Sequence, residues 1–340
     1  MEKDSQSEPR TAVGWANAIA MTLEMQGKNS ALLFKEADIP YQSTSDPSCR
    51  VEAHKIFHLM QLAVKVTENP SFGLQVACNF QPAHFHALGF SLYSSSSLHD
   101  FCLRLVHYFR LLSENAKHYL HEDEEHYRLV IEMINPKASI ESLDGWIGAI
   151  VHMCRSIYRP DFTPLKIELE RPAPDSHAED FERFFRAPVI FSAPTNTIYF
   201  AKEDMLAHLP SGNSDLARRN DEVVIEYLAR LDREDIVRQV EAKVIELLPT
   251  GECCKDRIAS LLHISQRKLH NKLEQKNTSY QEILESLRSN LAKQYIEQKN
   301  VSFSEIAFLL GFTDTSNFAR AFRRWTGVSP TQYRDQLEGG

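Results

Sequence analysis

The sequence lacks a long hydrophobic segment and the short motifs of common enzyme classes. No run of about 18 apolar residues occurs, which excludes an ordinary transmembrane helix. The charged opening MEKDSQSEPR is not followed by an apolar stretch, so we expect no secretory signal. GxGxxG, Walker and GxSxG motifs are absent, and no Ser/His/Asp arrangement is evident. We therefore expect no enzymatic activity, no catalytic residue and no cofactor.

Clustered cysteines are also missing. The six cysteines show no CxxC spacing, which argues against a structural zinc site and a disulfide framework. Reduced thiols of a cytoplasmic protein are expected instead. The cysteines are Cys49, Cys78, Cys102, Cys154, Cys253 and Cys254.

The charge is unevenly distributed along the chain. The 340 residues contain 38 Lys+Arg and 46 Asp+Glu, a net charge of −8. Residues 234–340 contain 15 basic and 14 acidic residues, which leaves 23 against 32 for the remainder. The stretch 255–299 is the most basic, with 9 against 5. This asymmetry permits nucleic-acid binding without establishing it.

The first two hundred residues predict an α+β domain, assigned to residues 1–208. Apolar spacing predicts a helix over 11–37 with a break near Ser30, and further helices over 50–68, 98–116 and 139–158. Two strands flanking an acidic turn are predicted in KHYLHEDEEHYRLVIEMI. The runs PLKIELER, PVIF and NTIYF predict three more strands of a mainly antiparallel sheet.

A linker and connecting helix are predicted over residues 209–233. LPSGNSD is small and polar with Pro and Gly, and a helical apolar pattern follows it. This helix is compatible with joining two domains or with pairing against a partner subunit.

Residues 234–337 predict an all-α domain of short helices. Ser279 and Ser302 each precede a Glu by three positions, the spacing of a helix capping box. Ser329 precedes a Pro that suits the first position of a last helix.

A repeated apolar skeleton is the strongest functional signal in this domain. Ile258, Ala259, Leu269 and Leu273 in IASLLHISQRKLHNKLEQKN have counterparts in IAFLLGFTDTSNFARAFRRWTG. The counterparts are Ile306, Ala307, Phe318 and Phe322. Each copy predicts a helix-turn-helix, in which the second helix enters the DNA major groove.

The intervening helix, residues 279–297, would be roughly 28 Å long. That length suits two grooves about 34 Å apart.

The outward faces of the two recognition helices, about 266–276 and 315–325, predict the DNA contacts. Arg and Asn are the side chains best suited to bidentate base contacts, which favours Arg267, Arg320 and Asn271. A solvated basic face is the alternative, and the matched, capped and spaced pair disfavours it. Predicted base contacts are Gln266, Arg267, His270, Asn271, Thr315, Ser316 and Arg320. Predicted phosphate contacts are Lys268, Lys272, Lys276, Arg323 and Arg324.

SFSEIAFLLGFTDTSNFARAFRRWTGVSPTQYR closely resembles the C-terminal signature of AraC/XylS-type transcription regulators. The resemblance covers about residues 235–337. The front half, including FRAPVIFSAPTNTIYF, resembles more loosely the N-terminal domain labelled arabinose-binding-like, a label that does not indicate arabinose as the ligand. The resemblance implies a double-stranded DNA-binding regulator, usually an activator that contacts RNA polymerase. It also implies a small-molecule effector and a homodimer formed through the N-terminal domain.

His263 and Asn277 occupy positions where relatives of this family usually have Gly, whereas the second copy has Gly311. We expect positive φ at both positions, since His and Asn tolerate it better than most residues.

Parts of the sequence suggest three alternatives. His84 and His86 suggest a metal, but they are placed in a loop without a third ligand, so no metal site is expected. Cys253 and Cys254 suggest redox or methyl-accepting chemistry without an evident base. A protein partner, rather than an effector, is the third alternative. Aromatic residues suited to lining an effector pocket or to filling the core are Phe85, Phe90, Tyr93 and Tyr108.

Overall fold

The computed structural model describes residues 8–41, 49–135, 138–297 and 301–338. They form two compact units, one from Glu8 to Leu228 and the other from Ala229 onward. The first unit is α+β and the second is helical, as predicted for the two parts of the chain.

A two-stranded sheet begins the first unit, where the sequence predicts helix. Arg10–Ala12 (β1) pairs antiparallel with Arg50–Glu52 (β2), with Thr11 opposite Val51. The predicted helical starts at residues 11 and 50 are therefore wrong. Pairing with a distant segment outweighs the local helical pattern, and helices begin only after each strand. These helices are α1 (Gly14–Met25), α2 (Ser30–Glu36) and α3 (Ala53–Thr67).

The next helices surround a large apolar core. The helix predicted over 98–116 is too long, because the chain tightens into a 3₁₀ turn at Phe109–Leu111 after Tyr108. Phe109 and Leu112 are nevertheless buried, since a 3₁₀ turn keeps residues three apart on one side. The helices are α4 (Phe72–Cys78), α5 (His86–Tyr93), α6 (Leu98–Tyr108) and α7 (Ile140–Ile157).

A five-stranded sheet completes the first unit, in the order β3-β4-β7-β5-β6. The predicted hairpin is confirmed: Asp123 accepts hydrogen bonds from the backbone N–H groups of Glu125 and His126 in its acidic turn. All pairs are antiparallel except the parallel pair β5–β6. The strands are β3 (Ala116–Glu122), β4 (His126–Met133), β5 (Lys166–Leu169), β6 (Val189–Phe191) and β7 (Asn196–Ala201). The remaining helices of this unit are α8 (Ala178–Phe185) and α9 (Lys202–Leu206), and α10 (Ser214–Glu234) continues past Leu228 into the second unit.

The second unit contains seven helices within the described residues. The predicted serine caps are confirmed, since the hydroxyls of Ser279, Ser302 and Ser329 each accept a bond from the backbone N–H three residues later, at 3.2 Å. The helices are α11 (Ile236–Leu247), α12 (Lys255–Leu261), α13 (Gln266–Glu274), α14 (Tyr280–Glu297), α15 (Phe303–Leu309), α16 (Thr315–Thr326) and α17 (Pro330–Glu338).

Candidate DNA interface and effector cavity

The first helix pair, α12 and α13, packs together through the apolar residues that the repeat predicts. Ile258 and Ala259 of α12 are buried with Leu269 and Leu273 of α13 in one cluster. Ser265 caps α13 by accepting a bond from the backbone N–H of Lys268. With Leu269 and Leu273 inward, the opposite side of α13 is left facing solvent.

The predicted DNA-contacting side chains of α13 lie on that open side. Gln266 differs from the others because its amide donates a hydrogen bond to the Asp256 carboxylate. Lys276 lies beyond the end of α13 and is half-buried. Exposed side chains that make no side-chain hydrogen bond or ion pair within the described residues are Arg267, Lys268, His270, Asn271 and Lys272.

The second helix pair, α15 and α16, repeats this arrangement with larger side chains. Ile306 and Ala307 are buried against Phe318 and Phe322 in a separate cluster. Asp314 caps α16 by accepting a bond from the backbone N–H of Asn317 at 2.8 Å. The face opposite the two phenylalanines is again open to solvent.

The polar face of α16 contains more side-chain contacts than that of α13. The Arg320 guanidinium donates to Asn317 Oδ1 at 2.6 Å, and the Asn317 amide donates to the Asp314 carboxylate at 2.6 Å. Arg324 forms an ion pair with Glu285 of α14 at 3.1 Å. The predicted contacts on this helix, Thr315, Ser316, Arg320, Arg323 and Arg324, are all exposed.

Positive φ is confirmed at the two expected positions and also occurs at Gly311. His263 and Asn277 have φ of 53°, and Gly311 has φ of 68°. Gly311 has an additional reason to be glycine, because a Cβ there would lie 2.6 Å from the carbonyl oxygen of Leu248. His263 is exposed. The same turn conformation therefore tolerates a side chain in the first copy and excludes one in the second.

Arg288, which no sequence pattern indicated, binds the backbone of the second turn. Its Nε donates to the carbonyl of Leu310 at 2.9 Å and its Nη2 to that of Gly311 at 3.1 Å. The guanidinium carbon lies 4.6 Å from the centre of the Phe312 ring. This arginine is therefore engaged in holding the turn.

One helix contributes to the cores of both pairs. Ile283 and Leu284 of α14 are buried in the cluster of the first pair. Ala292 and Ile296 of the same helix are buried in the cluster of the second. At about 1.5 Å per residue, its 18 residues span roughly 27 Å. The α14 helix thus fixes the separation of the two pairs.

A cavity of about 80 Å³ lies within the first unit. Of the four aromatic residues considered from the sequence, Phe85 lines it, and Phe90 is instead exposed. Tyr93 and Tyr108 pack partly buried against the core. The lining residues are Thr11, Ala12, Trp15, Ile56, Phe57, His84, Phe85, Phe109, Leu112, Ser113, Asn115, Ala116, Met133, Ser142, Leu143 and Trp146.

A buried histidine holds one wall of this cavity. Nε2 of His118 accepts a hydrogen bond from the Trp146 indole N–H at 2.8 Å. Complete burial lowers the pKa of His118 to about 3, so its ring is neutral at ordinary pH. The neutral ring presents an acceptor to Trp146 and fixes the indole at the cavity wall.

Comparison with known families agrees with this two-part architecture. A family model described as the arabinose-binding domain of AraC transcription regulators, N-terminal, matches residues 27–209, more than half of the chain. A second, described as a helix-turn-helix domain, matches residues 258–336. The chain belongs to the AraC family of transcription regulators.

The chain is similar to several individual transcription regulators. The ornithine utilization regulator of Pseudomonas aeruginosa is 25% identical over 325 residues, which cover 95% of this chain and 96% of the relative. The regulator VirS of Mycobacterium tuberculosis is 38% identical over 88 residues, 26% of each chain. The crystal structure of the transcriptional regulator CdpR from P. aeruginosa is 20% identical, with a TM-score of 0.47, and the match covers 98% of this chain and 99% of that one. The family matches and the full-length relative identify a DNA-binding transcription regulator.

The two cysteines considered for redox or methyl-accepting chemistry differ in environment within this AraC-family chain. Cys253 is half-buried, and its sulfur lies 3.4 Å from the Tyr280 hydroxyl. Burial raises the pKa of the Cys253 thiol, the opposite of what a nucleophilic cysteine needs. Cys254 is exposed at the N-terminus of α12.

His84 and His86, which were considered as metal ligands, contact other residues of the first unit. They lie in a 3₁₀ turn and at the start of α5, not in the predicted loop. Nδ1 of His84 accepts a bond from the backbone N–H of Gln81, and the His86 ring lies 5.1 Å from that of Tyr227. Within the described ranges, no three His, Cys, Asp or Glu side chains form a group suited to a metal ion.

Among the described helices, none has the length and apolar character to span a bilayer.

Proposed function

We propose that α13 and α16 enter successive major grooves on one side of DNA. The observation that carries this proposal is the pair of matched helix-turn-helix units with solvent-facing polar sides. The α14 helix, shared by both cores, supports simultaneous binding because its length approaches the spacing of successive grooves.

Base reading is assigned to the side chains nearest the middle and N-terminal part of each open face. Arg267 and Arg320 suit guanine, and Asn271 suits adenine. The remaining contributors are Gln266, His270, Thr315 and Ser316 to bases, and Lys268, Lys272, Lys276, Arg323 and Arg324 to phosphates.

The first unit is assigned the regulatory role. Its cavity suits a small-molecule effector, and we propose that effector binding changes the activity of a transcription activator that contacts RNA polymerase in the cytoplasm. Exposed apolar residues on α10, Leu216 and Val223, lie seven apart, a spacing that supports self-association into a homodimer. The cavity offers no charged side chain among its described lining residues, so ornithine is not proposed as the effector.

Selection of bound sequences from random DNA by the full-length chain tests the DNA proposal. We expect a recurring site extending over about two helical turns, and tighter binding to it than to a scrambled site. Arg238→Ala serves as a control for the general loss of a positive charge, because Arg238 is an exposed arginine on α11, outside both recognition helices. We expect this variant to select the same site. Recovery of no preferred sequence would contradict the proposal.

The two alternative modes of control have less support. Burial of Cys253 opposes a role as an activated thiolate. Control by a protein partner would be favoured if no small molecule changed the thermal stability or the DNA affinity of the chain.

A further inference from the structure

The cavity of the first unit has an uncharged lining. Five aromatic rings surround it, and among its described lining residues none is Asp, Glu, Lys or Arg. The one titratable side chain there is His84, whose pKa is lowered by burial, which favours the neutral ring. A carboxylate or ammonium group entering this space would lose its hydration without gaining an opposite charge, which is costly. The rings are those of Trp15, Phe57, Phe85, Phe109 and Trp146.

Two buried oxygens in the lining are without hydrogen-bond partners within the described structure. Oδ1 of Asn115 and Oγ of Ser142 are both unpaired, and these residues are only 2% and 8% exposed. An unpaired buried polar atom destabilises the fold, so a ligand that pairs with it recovers that loss.

The hydrogen bonds of Asn115 leave one acceptor of this lining residue unused. Its amide nitrogen donates to Oγ1 of Thr11 and to Oγ of Ser113, each at 3.1 Å. The Ser113 oxygen also accepts the backbone N–H of Asn115 at 3.3 Å. With the nitrogen side occupied, Oδ1 is left to accept a hydrogen bond from a donor that a ligand brings.

The volume of the cavity sets how much of such a ligand it can bury. On the scale where one water needs about 10–15 Å³, the cavity of about 80 Å³ accommodates roughly five to eight non-hydrogen atoms. That is the size of a single aromatic ring with one substituent.

We propose that the effector is a small, uncharged molecule with an apolar body and a hydroxyl group that donates to Oδ1 of Asn115. This inference rests on the effector-sensing role proposed above and specifies its chemistry. A hydroxyl suits either free oxygen, because it is able to donate to Asn115 and to accept from Ser142. The apolar body packs against the aromatic rings, which supply most of the binding energy through burial.

Phenol and toluene form a matched pair of probes, since they differ by a hydroxyl in place of a methyl group. We expect phenol to bind the full-length chain about tenfold more tightly than toluene, from one buried hydrogen bond. At about tenfold above its Kd, phenol is expected to raise Tm by roughly 3–6 °C. Benzoate and benzylammonium, which carry opposite charges on a similar ring, are expected to leave Tm unchanged.

Asn115→Leu removes the acceptor at nearly constant volume and is expected to abolish the preference for phenol over toluene. If this variant does not fold, Ser142→Ala tests the same cavity, with an expected severalfold loss of phenol affinity and unchanged toluene affinity. Titration calorimetry measures both affinities directly. The proposal is overturned if phenol does not bind, or if the preference for phenol over toluene is undiminished in each variant that folds.

The charged probes separate this proposal from the effector role itself. Stabilisation by benzoate or benzylammonium, together with a change in DNA affinity, would overturn the uncharged class and leave effector sensing intact. If no charged or neutral compound changed Tm or DNA affinity, both the chemical class and the effector role would fail.

Discussion

The two helix-turn-helix units share a skeleton but differ in what surrounds their turns. His263 and Gly311 occupy equivalent positions with similar positive φ, yet His263 is exposed and Gly311 faces the Leu248 carbonyl. Backbone conformation alone permits several residues at such a turn. The neighbouring chain, not the turn geometry, therefore decides which copy requires glycine.

The recognition helices also differ in the contacts of their polar side chains. On α16, Asn317 holds Arg320 and Glu285 holds Arg324 before any DNA is bound. On α13, Arg267 and Asn271 make no side-chain hydrogen bond within the described part of the chain. We therefore expect the second unit to be more preorganised and the side chains of the first to become ordered on binding.

The largest expected difference between the units concerns their turns. Gly311→Ala places a methyl group against the Leu248 carbonyl at positive φ, and we expect a loss of about 2–4 kcal/mol in the stability of α15 and α16. His263→Ala, the matched change in an open turn, is expected to cost less than about 1 kcal/mol. Hydrogen exchange of the two helix pairs measures both effects. Similar losses at the two positions would contradict the steric explanation.

Arg288→Met tests the fastening of the second turn. Removing the bonds to the Leu310 and Gly311 carbonyls leaves both acceptors without this donor, at an expected cost of about 1–3 kcal/mol. Hydrogen exchange should report faster opening of α15 and α16 than of α12 and α13. Equal acceleration in both pairs would show that Arg288 acts on the whole unit.

Asn317→Ala tests the preorganisation of Arg320. Without Oδ1 of Asn317, the arginine must be ordered on binding, and we expect a loss of about 0.5–1.5 kcal/mol in DNA affinity. Fluorescence anisotropy with the selected site measures it, and Arg320→Ala/Asn317→Ala supplies the double-mutant cycle. Additive effects would indicate that the Asn317 contact does not assist Arg320.

The smallest expected difference concerns phosphate contacts. Lys272→Ala should reduce the slope of log K against log salt by about 0.9, because one phosphate contact is lost. Arg324→Ala should reduce it by about half as much, since Glu285 already partly neutralises that arginine. Affinities measured from low to moderate salt give both slopes. A larger change for Arg324 than for Lys272 would contradict this assignment.

Local sequence signals predicted most of the second unit but less of the first. Caps at Ser279 and Ser302 coincide with apolar periodicity, so the helices are encoded by residues close in the chain. The strands at Arg10–Ala12 and Arg50–Glu52 were missed because each has three residues and depends on a distant partner.

For the candidate sites too, the sequence predicts what local spacing determines and misses what depends on distant segments. The exposed faces of α13 and α16 follow from helical spacing around Leu269 and Phe318. The cavity does not, because its lining combines residues from β1, α1, α3, β3 and α7, far apart in sequence. The clash that requires Gly311 likewise depends on Leu248, which no local pattern connects with it.

The most direct test of the two-groove account repeats the DNA selection with Arg267→Ala and Arg320→Ala. Each substitution should cost about 1–3 kcal/mol on the preferred site and relax one base preference, with the two relaxed positions about 10 base pairs apart. That result would place the two helices in successive grooves. Uniform weakening on all sequences, or relaxation of the same position by both substitutions, would contradict the account.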